Sequence, residues 1–530
     1  MTTAFDRRSV VKTAAAFVLT ATVAKKGFAA DTMKLGPAVP FSFDSLKAMA
    51  QRMAGEPYAG PARPSPDIVA KINYEAWGNI KFDTVHAFFA DGPGRFPVSF
   101  FHLGMFFQKS VEMHVVDAGS AREIIYDKSY FEMPGDSIAK KLPQGAGFAG
   151  LRVQESRAGP LDWRKNDWVA FLGADYFRAI GELRQYGLSA RAVALDVAVA
   201  GKPEEFPDFT KFYIDRAEAG DSLTVYALLE GPSLAGVCRF VLTRTKSVTM
   251  DIDQTLFLRA DVARFGLAPL TSMYWFSETK KETGSDWRPE VHDSDGLALW
   301  MGTGERAWRP LNNPPRVITS SFADENPHGF GLLQRDRCFD HYQDGVNYDR
   351  RPSLWVEPKG SWGKGAVQLV EIPTDVEFDD NIVAMWVPGK AAAAGSEVEL
   401  SYRLHWAAGE PFPGDLARCV ATRLGNGQPG PLVNGQRQPR PKGVRKFMVE
   451  FKGPPLEALP FGVKPEPVLW ASRGTFSYTF TEAVPDDVPG HWRAQFVFTV
   501  DGVEPVEMRL FLRAGKKILS ETWLYQYHPF

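Results

Sequence analysis

Cysteine is nearly absent from this chain: Cys238, Cys338 and Cys419 are the only three in 530 residues, far apart and odd in number. A disulfide framework needs pairs and a structural zinc site needs clustered thiolates, so neither is expected; the three read as buried thiols. Charge of one sign is lacking too. A formal net charge of −2 gives no electrostatic pull toward nucleic acid or an anionic membrane surface. After the first thirty residues no run approaches the ~20 apolar residues of a spanning helix. Phosphate-cradling loops of the G-x-x-x-x-G-K-[ST] or G-x-G-x-x-G kind are missing, and "MGTGERAW" (301–308) holds only a Gly-x-Gly fragment, read as a turn. H-E-x-x-H, paired-cysteine motifs and the G-x-S-x-G elbow are missing as well. Nucleotide, zinc, iron–sulfur and serine-nucleophile chemistry therefore have no support, and no cofactor is expected.

What is present begins with an export signal. Arg7 and Arg8 precede the apolar run "TAAAFVLTATVA" (13–24) and the small-residue stretch "GFAA" (27–30). A charged start, a short apolar middle and a small-residue end make a cleavable signal, and the adjacent arginines point to the twin-arginine route. Residues 1–30 are thus expected to direct a soluble protein to the periplasm. The remaining 500 or so residues suggest two or three domains.

Short helices are predicted over 41–55, stopped by Gly55 and Pro57, and over 176–187. Elsewhere the period is two. Leu223, Val225, Ala227 and Leu229 alternate with polar neighbours, as do Val248, Met250 and Ile252, and Val398, Leu400, Tyr402, Leu404 and Trp406. Such alternation between Gly/Pro/Asp turns predicts antiparallel sheet. A Gly/Pro-rich polar stretch begins at 408, and clean alternation resumes beyond it, for instance at 492–513. The expected architecture is all-β: a large antiparallel β-sandwich over 31–407, a linker at 408–419 and a separate small immunoglobulin-like sandwich over 420–530.

Chemistry concentrates between 271 and 386, where loops carry Asp, Glu, Arg, Tyr and Trp. The densest stretch, "WRPEVHDSDGLALW" (287–300), sets Glu290, His292, Asp293 and Asp295 between Trp287 and Trp300. It could be a metal cage, an acid/base site or a polar loop. Successive strand side chains point to opposite faces, so no metal is expected there. Asp293 or Asp295 could close a turn before Gly296, and His292 reads more readily as a hydrogen-bonded structural residue. Of the neighbours Asp379 and Asp380 only one can face a cleft. Arg350 and Arg351 could pair with acids, and Trp300, Trp308 and Trp386 suit a core. Aromatic faces, arginines and acids together fit a carbohydrate cleft.

Five segments carry a resemblance: the stretch above, "WRPLNNP" (308–314), "ENPHGFGLLQRDRCFDHYQD" (325–344), "YDRRPSLWVEPKGSWGKGAVQLVEIPT" (348–374) and "DNIVAMW" (380–386). With "FLGADYFRAIGELRQYGLSARAVALD" (171–196), they closely resemble the osmoregulated periplasmic glucan biosynthesis proteins of the G and D type. The resemblance runs along the whole mature chain, and the twin-arginine signal is similar to that of the D type. It implies a large β-sandwich joined to an immunoglobulin-like domain, acting on β-1,2-glucan. Some relatives are similar to glycoside hydrolases that cut this glucan internally with inversion. On that basis Asp380 is the expected general acid and Asp293 the base, with Asp295 as the fallback. Glu377, Tyr348, Trp287 and Arg288 are the expected substrate contacts. Two functions stand: an inverting endo-β-1,2-glucanase that sizes the glucan backbone, or a glucan-binding or backbone-modifying factor that does not hydrolyse. Product length and oligomeric state, a homodimer included, are open.

Overall fold

Alternation of apolar and polar residues decides the architecture. In the computed structural model, which describes residues 33–91, 94–216, 220–279, 286–427, 431–439 and 442–529, the strand Glu397–Ala407 buries Leu400, Tyr402, Leu404 and Trp406. Its antiparallel neighbour Val248–Leu258 sets Ile252, Met250 and Val248 opposite Tyr402, Leu404 and Trp406, so both strands present one apolar face. The expected export signal lies outside the described residues.

Among the described residues sixteen strands form one sheet and ten form a second. The large sheet runs from Leu35–Pro40 through Ser222–Gly231, Leu234–Arg244 and Val248–Leu258 to Glu397–Ala407. It continues through Ser353–Lys359, Gly329–Leu333, Gly296–Trp300 and Arg306–Pro310. The second sheet includes Tyr176–Ala179, Ser189–Arg191, Phe265–Ser272 and Ile382–Pro388. Side chains of both sheets, among them Phe177, Phe240, Leu270, Trp386 and Trp406, share one core. The fold is all-β, as the sequence predicts.

The predicted first helix is Phe43–Ala54. Ser42 caps it: its hydroxyl oxygen accepts from the Ser45 amide, and the Ser42 amide donates in return to the Ser45 hydroxyl oxygen. Leu46 and Ala50, one turn apart, bury its inner face beside Val237 and Phe257 of the large sheet. The second predicted helix is a correction: the chain forms the strand Tyr176–Ala179 instead. Phe177 and Ala179 enter the core while Tyr176 and Arg178 face outward, an alternation that sheet pairing enforces over local helix propensity. Gly181 permits the exit, since a Cβ there would lie 2.7 Å from Pro352.

Near the C-terminus, Arg418–Asn426, Val444–Lys452, His491–Thr499 and Thr475–Ala483 form a four-stranded sheet. It packs Phe447, Phe496 and Phe498 against Trp523, Met508 and Leu510 of the strands Thr522–Tyr527 and Val506–Ala514. The expected sandwich is therefore present, but it is not separate. Thr522 and Trp523 pair in parallel with Ala307 and Trp308, so its second layer continues the large sheet. Trp308 and Trp355 lie in its core, and Trp386 lies in the larger one. Cys238 and Cys419 are buried, whereas Cys338 is exposed, contrary to expectation; all three are free thiols. No helix among the described residues is long and apolar enough to cross a membrane.

Candidate functional site

The strand Tyr176–Ala179 turns Tyr176 and Arg178 away from the core, and the chain brings acids to this face from two distant loops. The first is the turn that ends at Asn381. Its side-chain amide donates to the carbonyls of Tyr274 (2.9 Å) and Ile372 (2.8 Å), and its carbonyl oxygen accepts from the Tyr274 amide (2.8 Å). This buried clamp fixes the residue before it, Asp380. Thr374 Oγ1 holds Asp379 at 2.9 Å, so the two neighbouring acids have different surroundings.

The Asp380 residue is exposed to solvent. Desolvation, then the charges of Asp293 and Asp379, push its carboxyl up to about 6 against the opposing pull of Arg178 and Arg351. In so exposed a residue the neighbouring charges outweigh desolvation.

The second loop follows the short strand Val291–His292, whose next residue, Asp293, donates its amide to the Met273 carbonyl at 2.9 Å. Asp293 is 6% exposed, and Arg351 Nη1 lies 3.1 Å from its Oδ1 without hydrogen-bond geometry. Burial raises its pKa; Arg351, His292 and Arg178 oppose that. Asp293 and Asp380 thus lie close enough for charge to couple them, and Arg178 and Arg351 act on both.

Asp295 is engaged elsewhere. Its Oδ2 accepts from the amides of Arg335 and, at 2.7 Å, Asp336, which closes the loop after the strand Gly329–Leu333. His292 is fully buried with both ring nitrogens occupied: Nε2 lies 3.1 Å from Glu290 and 3.6 Å from Asp295, and Nδ1 lies 3.1 Å from Gln334. Burial alone would lower its pKa, but the Glu290 hydrogen bond and the charges of Asp295, Glu290 and Glu278 push it up to about 9.

Tyr348, Glu377 and Arg288 form one wall. Asp344 accepts three amides, those of Val346 (2.6 Å), Asn347 (2.6 Å) and Tyr348 (3.0 Å), and so turns Tyr348 inward. The Tyr348 hydroxyl donates to Glu377 Oε2 at 3.0 Å, and Arg288 Nη1 donates to the same oxygen at 2.5 Å. Burial and then the Asp293 charge raise the Tyr348 hydroxyl, which ties this wall to the acids. Trp287 is 70% exposed and Phe378 86% exposed.

The geometry therefore joins Asp380, Asp293, Tyr348, Glu377 and Arg288, leaves Trp287 on the surface beside Arg288, and ties Asp295 to a different network. Arg178, Arg351 and Asn381 were not among the expected site residues. Reading Tyr176–Ala179 as a strand would have found Arg178; the other two carry no signal in spacing. On the far side of His292, ligand atoms of Glu290, Asp336 and His341 lie within 4.8 Å of one another. Only Glu290 comes from the 290–295 stretch. His341 Nδ1 is already bonded to Asp336, and Glu290 to His292.

Fold and side chains define the class: an all-β protein of packed sheets that gathers carboxylates and arginines near exposed aromatic rings. The chain belongs to the family described as periplasmic glucan biosynthesis protein, MdoG, whose model matches residues 41–527. It is 68% identical over 523 residues to glucans biosynthesis protein D 2 of Ralstonia nicotianae, covering 97% of this chain and 96% of that protein. It is 45% identical to glucans biosynthesis protein D of Xanthomonas campestris pv. campestris, over 94% of this chain and 92% of the relative. The protein of that name from Stenotrophomonas maltophilia is also 45% identical, over 94% and 91%. The resemblance read from the motifs is thus the family itself, and the chain's place is in periplasmic glucan biosynthesis.

Proposed function

We propose that this protein is an inverting endo-β-1,2-glucanase that sizes the glucan backbone in the periplasm after twin-arginine export. The observation that supports the reading is the proximity of Asp380 and Asp293, on both of which Arg178 and Arg351 act. Asp380 is raised to about 6, with Asp293 and Asp379 disfavouring its charge. Asp293 has the Arg351 guanidinium 3.1 Å away, which favours its charge. Burial raises Asp293 as well, but its close guanidinium makes it the better candidate for the ionised base, with Asp380 as the acid.

Asp380 gives its proton to the glycosidic oxygen as the bond to the anomeric carbon breaks. Water adds to that carbon from the opposite face, and its proton passes to Asp293, directly or through further waters and a sugar hydroxyl. Asp380 ends ionised and Asp293 protonated, and exchange with solvent restores both. Tyr348, Glu377 and Arg288 line the wall against which hydroxyls are held, and Trp287 offers a ring face. Asp295, whose Oδ2 accepts two backbone amides, is the weaker candidate for base.

The Arg351–Asp293 pair also favours a second reading, because a guanidinium so close lowers basicity. On that reading the cleft binds β-1,2-glucan without cutting it. Linear β-1,2-glucan incubated with the protein, with reducing ends and the anomer of the first product followed, tests both. New ends with inverted configuration support the glucanase; binding with no new ends favours the binding factor.

A further inference from the structure

We propose that the cleft continues beyond Asp380 as a glucan track, in which Phe206 is a sugar-stacking platform and the chain runs on into a cavity past it. This rests on the glucan reading above. Tyr176 lies near enough to Asp380 that the acid's charge helps to raise its hydroxyl, after burial, to about 12. The Phe206 ring lies 6.5 Å from the Tyr176 ring at 20°, and 44% of Phe206 is exposed. It therefore presents an open aromatic face beside Tyr176.

The platform is rigid for a visible reason. Arg191, opposite Tyr176 in the sheet and almost fully buried, sets its guanidinium carbon 5.1 Å from the Tyr176 ring and 4.7 Å from the Phe206 ring. Its Nη1 donates to Glu204 at 2.6 Å, which pins the loop carrying Phe206, and its Nε lies 3.5 Å from the buried Asp175. Glu205, next in the loop, accepts from the amide (2.9 Å) and hydroxyl (2.6 Å) of Ser233. A buried arginine between two acids and two rings is a costly way to hold a surface phenylalanine. A ring fixed in place, however, loses little freedom when a sugar stacks on it.

Asp208 and Phe209, two and three residues after Phe206, line a cavity of about 280 Å³ together with Phe106, Gln108, Lys109 and Ala174. The Phe209 amide donates to the Ala174 carbonyl at 3.1 Å, joining the chain after Phe206 to the chain before Tyr176. Ala174 lies in the turn that leads into the strand at Tyr176, two residues before it. Phe106 offers a second exposed ring, and Lys109 and Asp208, paired at 2.7 Å, offer a donor and an acceptor for hydroxyls.

The test measures calorimetric affinity for linear β-1,2-gluco-oligosaccharides of graded length, in an Asp380→Asn background so that nothing is cut. Phe206→Ala should lower affinity roughly tenfold for intermediate and long chains and leave the shortest bound chains unaffected. Phe206→Trp should retain affinity, and Phe106→Ala should weaken only the longest. Unchanged affinity at every length, or the same loss at every length, would overturn the track; the second result would mark Phe206 as a support of the central cleft. Chains that bind but are never cut by the wild-type protein would remove the glucanase reading and leave the track to stand or fall on these affinities. A wild-type protein that binds no β-1,2-glucan would remove both.

Discussion

Asp380 and Asp293 are the residues on which the proposed chemistry turns, and their environments give separate predictions. Asp380→Asn keeps shape and hydrogen bonding but has no proton to give, so cleavage should fall by a factor of ~10² to 10⁴ while glucan binding persists. Reducing-end assays beside calorimetry check this; near-wild-type cleavage by the folded variant would move the acid elsewhere. The acid works protonated, so kcat should decline as pH rises through about 6, the value to which desolvation and the Asp293 charge push Asp380. Asp293→Asn removes one of those raising charges, so any residual activity should lose its alkaline side at lower pH. Asp295 behaves differently under the same substitution. Asp295→Asn, with the new NH2 at Oδ2, would set donors against the amides of Arg335 and Asp336, costing about 1–3 kcal/mol of stability. Denaturant midpoints should fall for Asp295→Asn, while cleavage by its folded fraction stays within about tenfold of wild type. If Asp295→Asn matched Asp380→Asn in lost rate at full stability, Asp295 would be the base.

The short strands and loops behind the cleft are held by one buried cation. His292 joins its own strand to Glu290, to Asp295 and, through Gln334, to the chain after Gly329–Leu333. Its pKa rises in the fold to about 9, so its contribution is fully present below the unfolded value near 6.5 and is lost as pH climbs through about 9. Melting temperature should therefore drop between pH 6.5 and 9.5, and the drop should be shallower in His292→Gln; equal slopes would mean the imidazolium is not what joins these elements. The sequence made some elements plain and hid others. Strands such as Glu397–Ala407 were legible because each buries one face and so writes its period into the chain. Tyr176–Ala179 was not: four residues hold barely two periods, and neighbouring Ile180 and Leu183 imitate a helical stripe. Pairing with Ser189–Arg191 decided the matter, and pairing is not local. For the same reason Arg351 is legible as a partner for acids, but which acid is not: the fold sets it against the distant Asp293. Asp380 and Asp293 were named together through family resemblance, because nothing in their own neighbourhoods joins them.

The whole molecule is organised around a sheet that does not stop where the composition changes. The Gly/Pro-rich texture after 408 suggested a boundary between independent units, yet Ala307 and Trp308 pair with Thr522 and Trp523. Arg335 crosses the same junction: it donates to the Cys419 carbonyl at 2.8 Å, pairs with Glu521 at 2.5 Å, and lies 3.7 Å over the Trp308 ring. From the other direction, the Thr422 amide donates to Glu278 at 3.0 Å. Ala298, Trp308, Leu333 and Trp355 belong to the C-terminal core. Removing residues 408–530 would open the sheet edge at Arg306–Pro310 and uncover all four. Exposing the two tryptophans alone costs roughly 3–6 kcal/mol, a large share of the ~5–15 kcal/mol that holds a typical protein folded. The truncated chain should therefore aggregate or bind a hydrophobic dye, and the intact chain should melt in a single transition. Calorimetry of the two proteins tests the point. Two resolved transitions in the intact chain, with the truncated one keeping the larger melting temperature and full glucan cleavage, would mean that the shared sheet joins the sandwiches without making either depend on the other.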